Sequence, residues 1–317
     1  MIYILLSLWI LSALFALFTQ KISRIIIYMG VFSLTAAICF LLLGSPDVAM
    51  TEAAVSAFTT TFFVICFEKY FARSRFVTAA NAVLKNQSSA KLTGLILPLV
   101  FVAFLFFLFV SFMPPADVVS TYLKYQYVEF FQRDVGGENA VTAIYLGYRV
   151  YDTLFEALML VMSVVATMHM SHFTEEEVKD GKHSEIEKSG LAVYTIRVAC
   201  PIMLMFGVYL IANGHLSPGG GFQGGLAIAS FFVCRYMIYD IYDLPIHKVN
   251  KMEELVFATI TLLAVLVVFQ GAIDLIPGTY LPAFQISYLL VMNALIGLKV
   301  ACSFIILFYR YIAIERR

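Results

Sequence analysis

Nine stretches of this chain are each apolar for about the length of a membrane-crossing helix, and that repetition constrains the fold more than any motif does. They fall at roughly 2–19, 25–43, 47–70, 94–113, 144–171, 191–212, 222–241, 253–273 and 285–310. Lipid offers no partners to an exposed backbone, so runs of this kind predict an all-α polytopic membrane protein with about nine transmembrane helices. Composition agrees. Residues are 61% hydrophobic and 13% charged, about half the charge of a soluble domain. The formal net charge is zero, which gives no case for nucleic-acid binding.

Basic residues set an orientation. Lys21 and Arg24; Lys69, Arg73, Arg75, Lys85 and Lys91; Lys179, Lys182 and Lys188; Lys248 and Lys251; and Arg310, Arg316 and Arg317 follow alternate spans. Only Lys124 and Arg133 lie clearly on the opposite side. The positive-inside rule then places the N-terminus outside and the C-terminus in the cytoplasm. Met1–Phe18 lacks a basic n-region and a small-residue cleavage site, so it reads as a retained first helix rather than a signal.

Two polar linkers, 71–93 and 172–190, divide the spans into blocks of three, two and four, with boundaries at 1–78, 90–175 and 188–317. Between the fourth and fifth spans, 114–141 mixes Tyr122, Tyr125, Tyr127, Phe130 and Phe131 with charges, as an amphipathic segment at the outer interface does. No repeat relates the blocks, which argues against an inverted-repeat carrier. The five cysteines (Cys39, Cys66, Cys200, Cys234, Cys302) stand singly in apolar surroundings, and no pair has metal or redox spacing.

Ionisable groups inside apolar runs are expensive and tend to carry function. Ser45-Pro46-Asp47 opens the third span, where Asp47 suits the positive end of the helix dipole. Glu52 follows in an apolar, threonine-rich helix, as a candidate for proton or cation transfer. In the fifth span Arg149, Asp152 and Glu156 share one face, extended by Ser163 and Thr167. Arg149 and Asp152 can neutralise each other at the outer edge, whereas Glu156 lies deeper. Lys299 lies far inside the ninth span, where snorkelling and proton relay are both open. His215, His169 and His172 are weaker candidates.

Gly214-His215-Leu216-Ser217-Pro218-Gly219-Gly220-Gly221-Phe222-Gln223-Gly224-Gly225 joins the sixth and seventh spans. It lacks the Gly-Lys-Ser/Thr ending and preceding strand of a phosphate-binding loop. It reads as a tight external turn feeding a closely packed helix.

These stretches also resemble a known family. Ser45-Pro46-Asp47-Val48-Ala49-Met50-Thr51-Glu52-Ala53-Ala54-Val55 with Thr59-Thr60-Thr61 resembles the three-span module ending the large A-type subunit of Mrp-type Na⁺/H⁺ antiporters, a module that also occurs as the D-type subunit of membrane-bound hydrogenases. Asn139-Ala140-Val141-Thr142-Ala143-Ile144 and Arg149-Val150-Tyr151-Asp152-Thr153-Leu154-Phe155-Glu156 resemble the adjoining two-span, E-type module. The glycine loop, with Pro218, Gly219, Gly220, Gly221, Gly224 and Gly225, resembles the signature of the four-span B-type (MnhB-like) subunit. Two positions depart from the pattern: Gly147 stands where the middle module has an acid, and Phe155 where it has glycine.

The resemblance implies a non-catalytic membrane subunit of a prokaryotic cell-membrane complex, either a stand-alone antiporter or a hydrogenase-like respiratory assembly. Its partners would be other membrane subunits and the bilayer, its transported ion Na⁺ or H⁺, and it would hold no cofactor or metal of its own. The leading expectation is conduction through Glu52, Asp152 and Glu156, with Asp47 and Lys299 as further candidates. The alternative is a purely structural adaptor; a self-sufficient carrier ranks third. No nucleophile arrangement or cofactor motif supports an enzyme.

Overall fold

A computed structural model describes residues 2–19, 21–70, 100, 103–108, 110–111, 121–170, 190–239, 244–274 and 285–313. The linkers at 71–93 and 172–190 (Gly190 aside), His172 and most of the run at 94–113 lie outside these residues; within that run, 103–108 are helical. The named elements are all helical: α1 (Ile2–Phe18), α2 (Ile22–Leu42), α3 (Pro46–Tyr70), α4 (Thr121–Asp134), α5 (Ala140–Ala143), a π-helical segment (Ile144–Tyr148), α6 (Val150–Met170), α7 (Gly190–Asn213), α8 (Gly221–Tyr239), α9 (Ile246–Asp274) and α10 (Gln285–Ala313).

Among the described residues, six helices are long and apolar enough to cross a membrane: Ile22–Leu42, Pro46–Phe67, Val150–Met170, Val193–Asn213, Ile246–Phe269 and Ile286–Tyr311. A shorter apolar helix runs over Tyr3–Phe18. Helix α8 is not among the six; Gln223, Arg235 and its glycines dilute its apolar character.

Two boundaries depart from the sequence reading. The fifth apolar run is not one continuous helix. Arg149 turns out of helical geometry (φ −121°, ψ 40°) between the π segment and α6. Helix α9 starts at Ile246, seven residues ahead of the expected start at 253, so its exposed first turns carry Lys248 and Lys251, and Glu253 becomes an interior residue.

Helix α10 is the hub. It packs against α3, α6, α7, α8 and α9, and 67% of its membrane window is buried within the chain, against 28% or less for the other spans. A central helix in lipid is held by close packing against protein, because association there does not rest on expulsion of water. Phe304 meets Phe58 of α3 edge-on at 4.9 Å between ring centroids, and Phe308 meets Tyr236 of α8 at 5.5 Å. Leu146, Val150, Leu226, Ile260, Leu289 and Met292 complete this core from the π segment, α6, α8, α9 and α10. The three sequence blocks therefore share one core. Helices α1 and α2 sit at its side, with α1 stacked on α2 through Trp9–Phe32 and Phe15–Tyr28.

Candidate functional site

The start of α3, the start of α5 and the glycine loop meet in one buried polar knot. Pro46 opens α3, where its missing N–H costs nothing. Asp47 follows in the first turn and is 8% exposed. Its Oδ1 accepts from Asn139 Nδ2 at 2.9 Å and from the Gly219 backbone N–H at 3.2 Å. Asn139 caps α5, its own Oδ1 accepting from the N–H groups of Val141 and Thr142. The same amide donates to the carbonyls of Gly214 and Ser217, and Thr142 Oγ1 donates to Gly214 at 2.6 Å. One turn further along α3, Thr51 Oγ1 accepts from Gln223 Nε2 at 2.6 Å.

Asp47 is thus more than a dipole partner. Its Oδ1 is taken by two N–H donors from the other two blocks. The loop is correspondingly more than a tight turn, because it supplies Gly219 to that carboxylate and His215 to the second block. The His215 carbonyl accepts from Glu138 and Asn139 at 2.8 and 3.0 Å, while its ring Nδ1 is buried without a hydrogen-bond partner among the described residues. On the α10 side, Asn293 Oδ1 accepts from Gly221 N–H at 3.1 Å and Tyr145 Oη at 3.3 Å.

The loop glycines let backbones touch. Gly220 adopts φ +150°, a conformation other residues rarely take, and a Cβ there would collide with the Tyr145 hydroxyl. A Cβ on Gly224 would lie 2.5 Å from the Gly207 carbonyl oxygen of α7, and one on Gly225 would strike the Gly297 carbonyl of α10. These glycines bring α8 into backbone contact with helices on both sides.

The expected ion-carrying residues do not form one cluster. Glu52 lies six residues, about 9 Å, into α3, and accepts a hydrogen bond from Ser33 of α2. Arg149 and Asp152 form a 2.6 Å ion pair with side chains 60% and 54% exposed. Glu156 is partly buried in α6, and its carboxylate has no hydrogen-bond or ion-pair partner among the described residues. Ser163 bonds back to its own helix at Met159 rather than extending a polar path.

Lys299 does not snorkel. It is 1% exposed and pairs with Glu253 of α9, which is equally buried. Sequence reasoning missed Glu253 because it set the helix boundary there. The signal that could have found it is its helical spacing, three and seven residues before the buried Val256 and Ile260, whereas Glu254 is exposed.

Comparisons with known proteins agree with this architecture. A family model described as a domain related to the MnhB subunit of the Na⁺/H⁺ antiporter matches residues 191–306, and the MbhD model, which describes the D-type subunit of MBH, matches residues 7–71. A putative antiporter subunit mnhA2 of Staphylococcus haemolyticus (strain JCSC1435) is 26% identical over 166 residues, covering 51% of this chain and 19% of that protein. An uncharacterized protein of Methanocaldococcus jannaschii, MJ1307, is 30% identical over 190 residues, covering 51% of this chain and 72% of that one. A probable A/B-type subunit of a K⁺/H⁺ antiporter from Rhizobium meliloti (strain 1021) is 23% identical over 235 residues, covering 67% of this chain and 23% of that protein. The chain therefore spans only about a fifth of the length of the named antiporter subunits it matches. Among solved structures, the Mrp complex from Dietzia sp. DQ12-45-1b contains a chain of the same fold (TM-score 0.65, 18% identity), matched over 98% of this chain and 34% of that one. The membrane-bound sulfane sulfur reductase, an archaeal respiratory membrane complex, contains another (TM-score 0.53, 24% identity), covering 69% of this chain and 97% of that one. With a D-type segment followed by an MnhB-like segment on one shared helical core, the chain carries an MbhD-type and an MnhB-related domain and belongs to the same family as MJ1307.

Proposed function

We propose that this chain works inside a multi-subunit Mrp-type assembly, stand-alone or hydrogenase-like, where it helps conduct Na⁺ or H⁺ and links neighbouring membrane subunits. In this reading α1, α8 and the run at 94–113 complete nine crossings, the N-terminus lies outside, and residues 90–175 form the E-type module. The observation that carries it is Glu156, a partly buried carboxylate within a membrane span and without a partner among the described residues. An ionised group held there costs several kcal/mol unless it exchanges a proton or meets a cation. Glu52, bonded to Ser33, is the second carboxylate of the path, and Asp152 stands at its outer end beside Arg149. Glu52→Gln and Glu156→Gln should abolish coupled ion transport in membrane vesicles while the complex still migrates intact on a native gel. Normal transport in both variants sinks the reading.

The knot around Asp47 favours a second reading, the structural adaptor, because it binds three sequence blocks through hydrogen bonds alone. On that reading the same two substitutions break assembly instead of transport.

A further inference from the structure

Between α9 and α10 lies a second ionisable centre, which the proposed carboxylate path does not use. Lys299 Nζ donates to Glu253 Oε1 and, at 3.0 Å, to Ser303 Oγ; Ser303 Oγ in turn donates to the same Glu253 oxygen at 3.1 Å. The paired side chains are 1% and 2% exposed, and Ser303 is fully buried. Lys299 stands fourteen residues from either end of α10, about 21 Å of helix. The Phe257 ring, centred 5.7 Å from Nζ, and the buried Cys302 close the surroundings.

A buried ion pair stabilises little compared with apolar residues of the same volume, since desolvation offsets most of the attraction. Packing alone therefore gives no reason for two charges and a hydroxyl here. We infer that Glu253, Ser303 and Lys299 form a proton-transfer centre within the MnhB-like segment, separate from Glu52 and Glu156. The donor set selects a proton over a metal cation. An ammonium has no lone pair to offer and already occupies the carboxylate, so a metal ion would find one serine oxygen and a repelling charge.

The step balances without any other reactant. A proton arriving on Glu253 neutralises the carboxylate and leaves the ammonium uncompensated, which drives Lys299 to release its own proton. Transfer from the Glu253 carboxyl through a turned Ser303 hydroxyl to Nζ then restores the ion pair. One proton enters and one leaves, and only O–H and N–H bonds form and break.

This inference rests on the reading that the chain takes part in ion translocation. Its test is a Glu253→Leu/Lys299→Met double variant in the assembled complex, with proton flux read by a pH-sensitive dye in inverted vesicles after a Na⁺ pulse. The apolar pair should leave assembly intact, and flux should fall at least about a hundredfold, the low end of what a positioned proton-transfer group contributes. An assembled double variant with flux within about twofold of the parent overturns the inference. Should the double variant not assemble, Ser303→Ala, which keeps both charges, decides: reduced flux supports the relay and unchanged flux overturns it. Glu52→Gln and Glu156→Gln, run in parallel, separate the two ideas. Loss in those with normal flux in the pair variant defeats this centre alone; the converse defeats the carboxylate path alone.

Discussion

Asn139 Nδ2 lies 2.9 Å from the Asp47 carboxylate although 92 residues separate the two in sequence. The same amide caps α5 and holds two carbonyls of the glycine loop, so one buried side chain ties together segments from all three blocks. Removing it leaves two N–H groups and the Ser217 carbonyl without this partner and takes one donor each from the Asp47 carboxylate and the Gly214 carbonyl, which keep Gly219 N–H and Thr142 Oγ1. Asn139→Ala should therefore cost at least about 2 kcal/mol, more than an average cap deletion. Thermal unfolding of the detergent-solubilised protein would show it as a lowered midpoint. A midpoint equal to the parent's would mean that water replaces the amide and the knot holds nothing together.

Helix contact through glycine makes a sharper claim. A Cβ on Gly225 meets the Gly297 carbonyl of α10, a backbone atom that no rotamer change can move away. Gly225→Ala should push α8 from α10 and destabilise by about 1–3 kcal/mol. Gly190, at the start of α7, has no atom within 4 Å of an added Cβ among the described residues, so Gly190→Ala serves as the control and should be neutral or slightly favourable. Equal unfolding midpoints for the two alanine variants would contradict the close-packed picture.

Much of this was legible in the chain itself. Long apolar runs located α1, α2, α3, α7, α8 and α10 to within a few residues because a bilayer demands about 20 in a row, and Pro46-Asp47 marked the start of α3. Asp47, Lys299 and the glycine loop stood out as misfits in apolar surroundings. What they misfit for was not legible, since Asn139, Gly219 and Glu253 approach from elements 46 to 172 residues away. The break at Arg149 was hidden for a different reason. No proline or glycine sits at the turn itself, and the carbonyls it frees are satisfied by side chains from outside the segment.

The Arg149–Asp152 pair tests the opposite expectation. Both side chains are more than half exposed, and their spacing makes the contact local. Exposed pairs contribute about 0–1 kcal/mol, so Asp152→Asn should leave the unfolding midpoint nearly unchanged. A transport defect without a stability defect would place Asp152 in the ion path. A large drop in midpoint would instead show that partner subunits or lipid bury the pair.

The π segment offers the last prediction. Its i+5 bond, Arg149 N–H to the Ile144 carbonyl at 2.8 Å, breaks the α-helical register and leaves neighbouring carbonyls to find other donors. Thr153 Oγ1 donates to the Tyr145 carbonyl at 2.6 Å, and Tyr288 Oη of α10 donates to the fully buried Leu146 at 3.0 Å. Tyr288→Phe removes only an oxygen and leaves that buried carbonyl unpaired, at a cost of about 1–3 kcal/mol. Thr153→Val does the same at Tyr145 with little change of volume. If these two hydroxyls hold the break in place, either substitution should speed hydrogen–deuterium exchange across 144–150 while leaving α9 unaffected. Combining them should accelerate it further, because both act on one short segment. Exchange that stays at the parent's rate in the double variant would show that the segment keeps its geometry by packing alone.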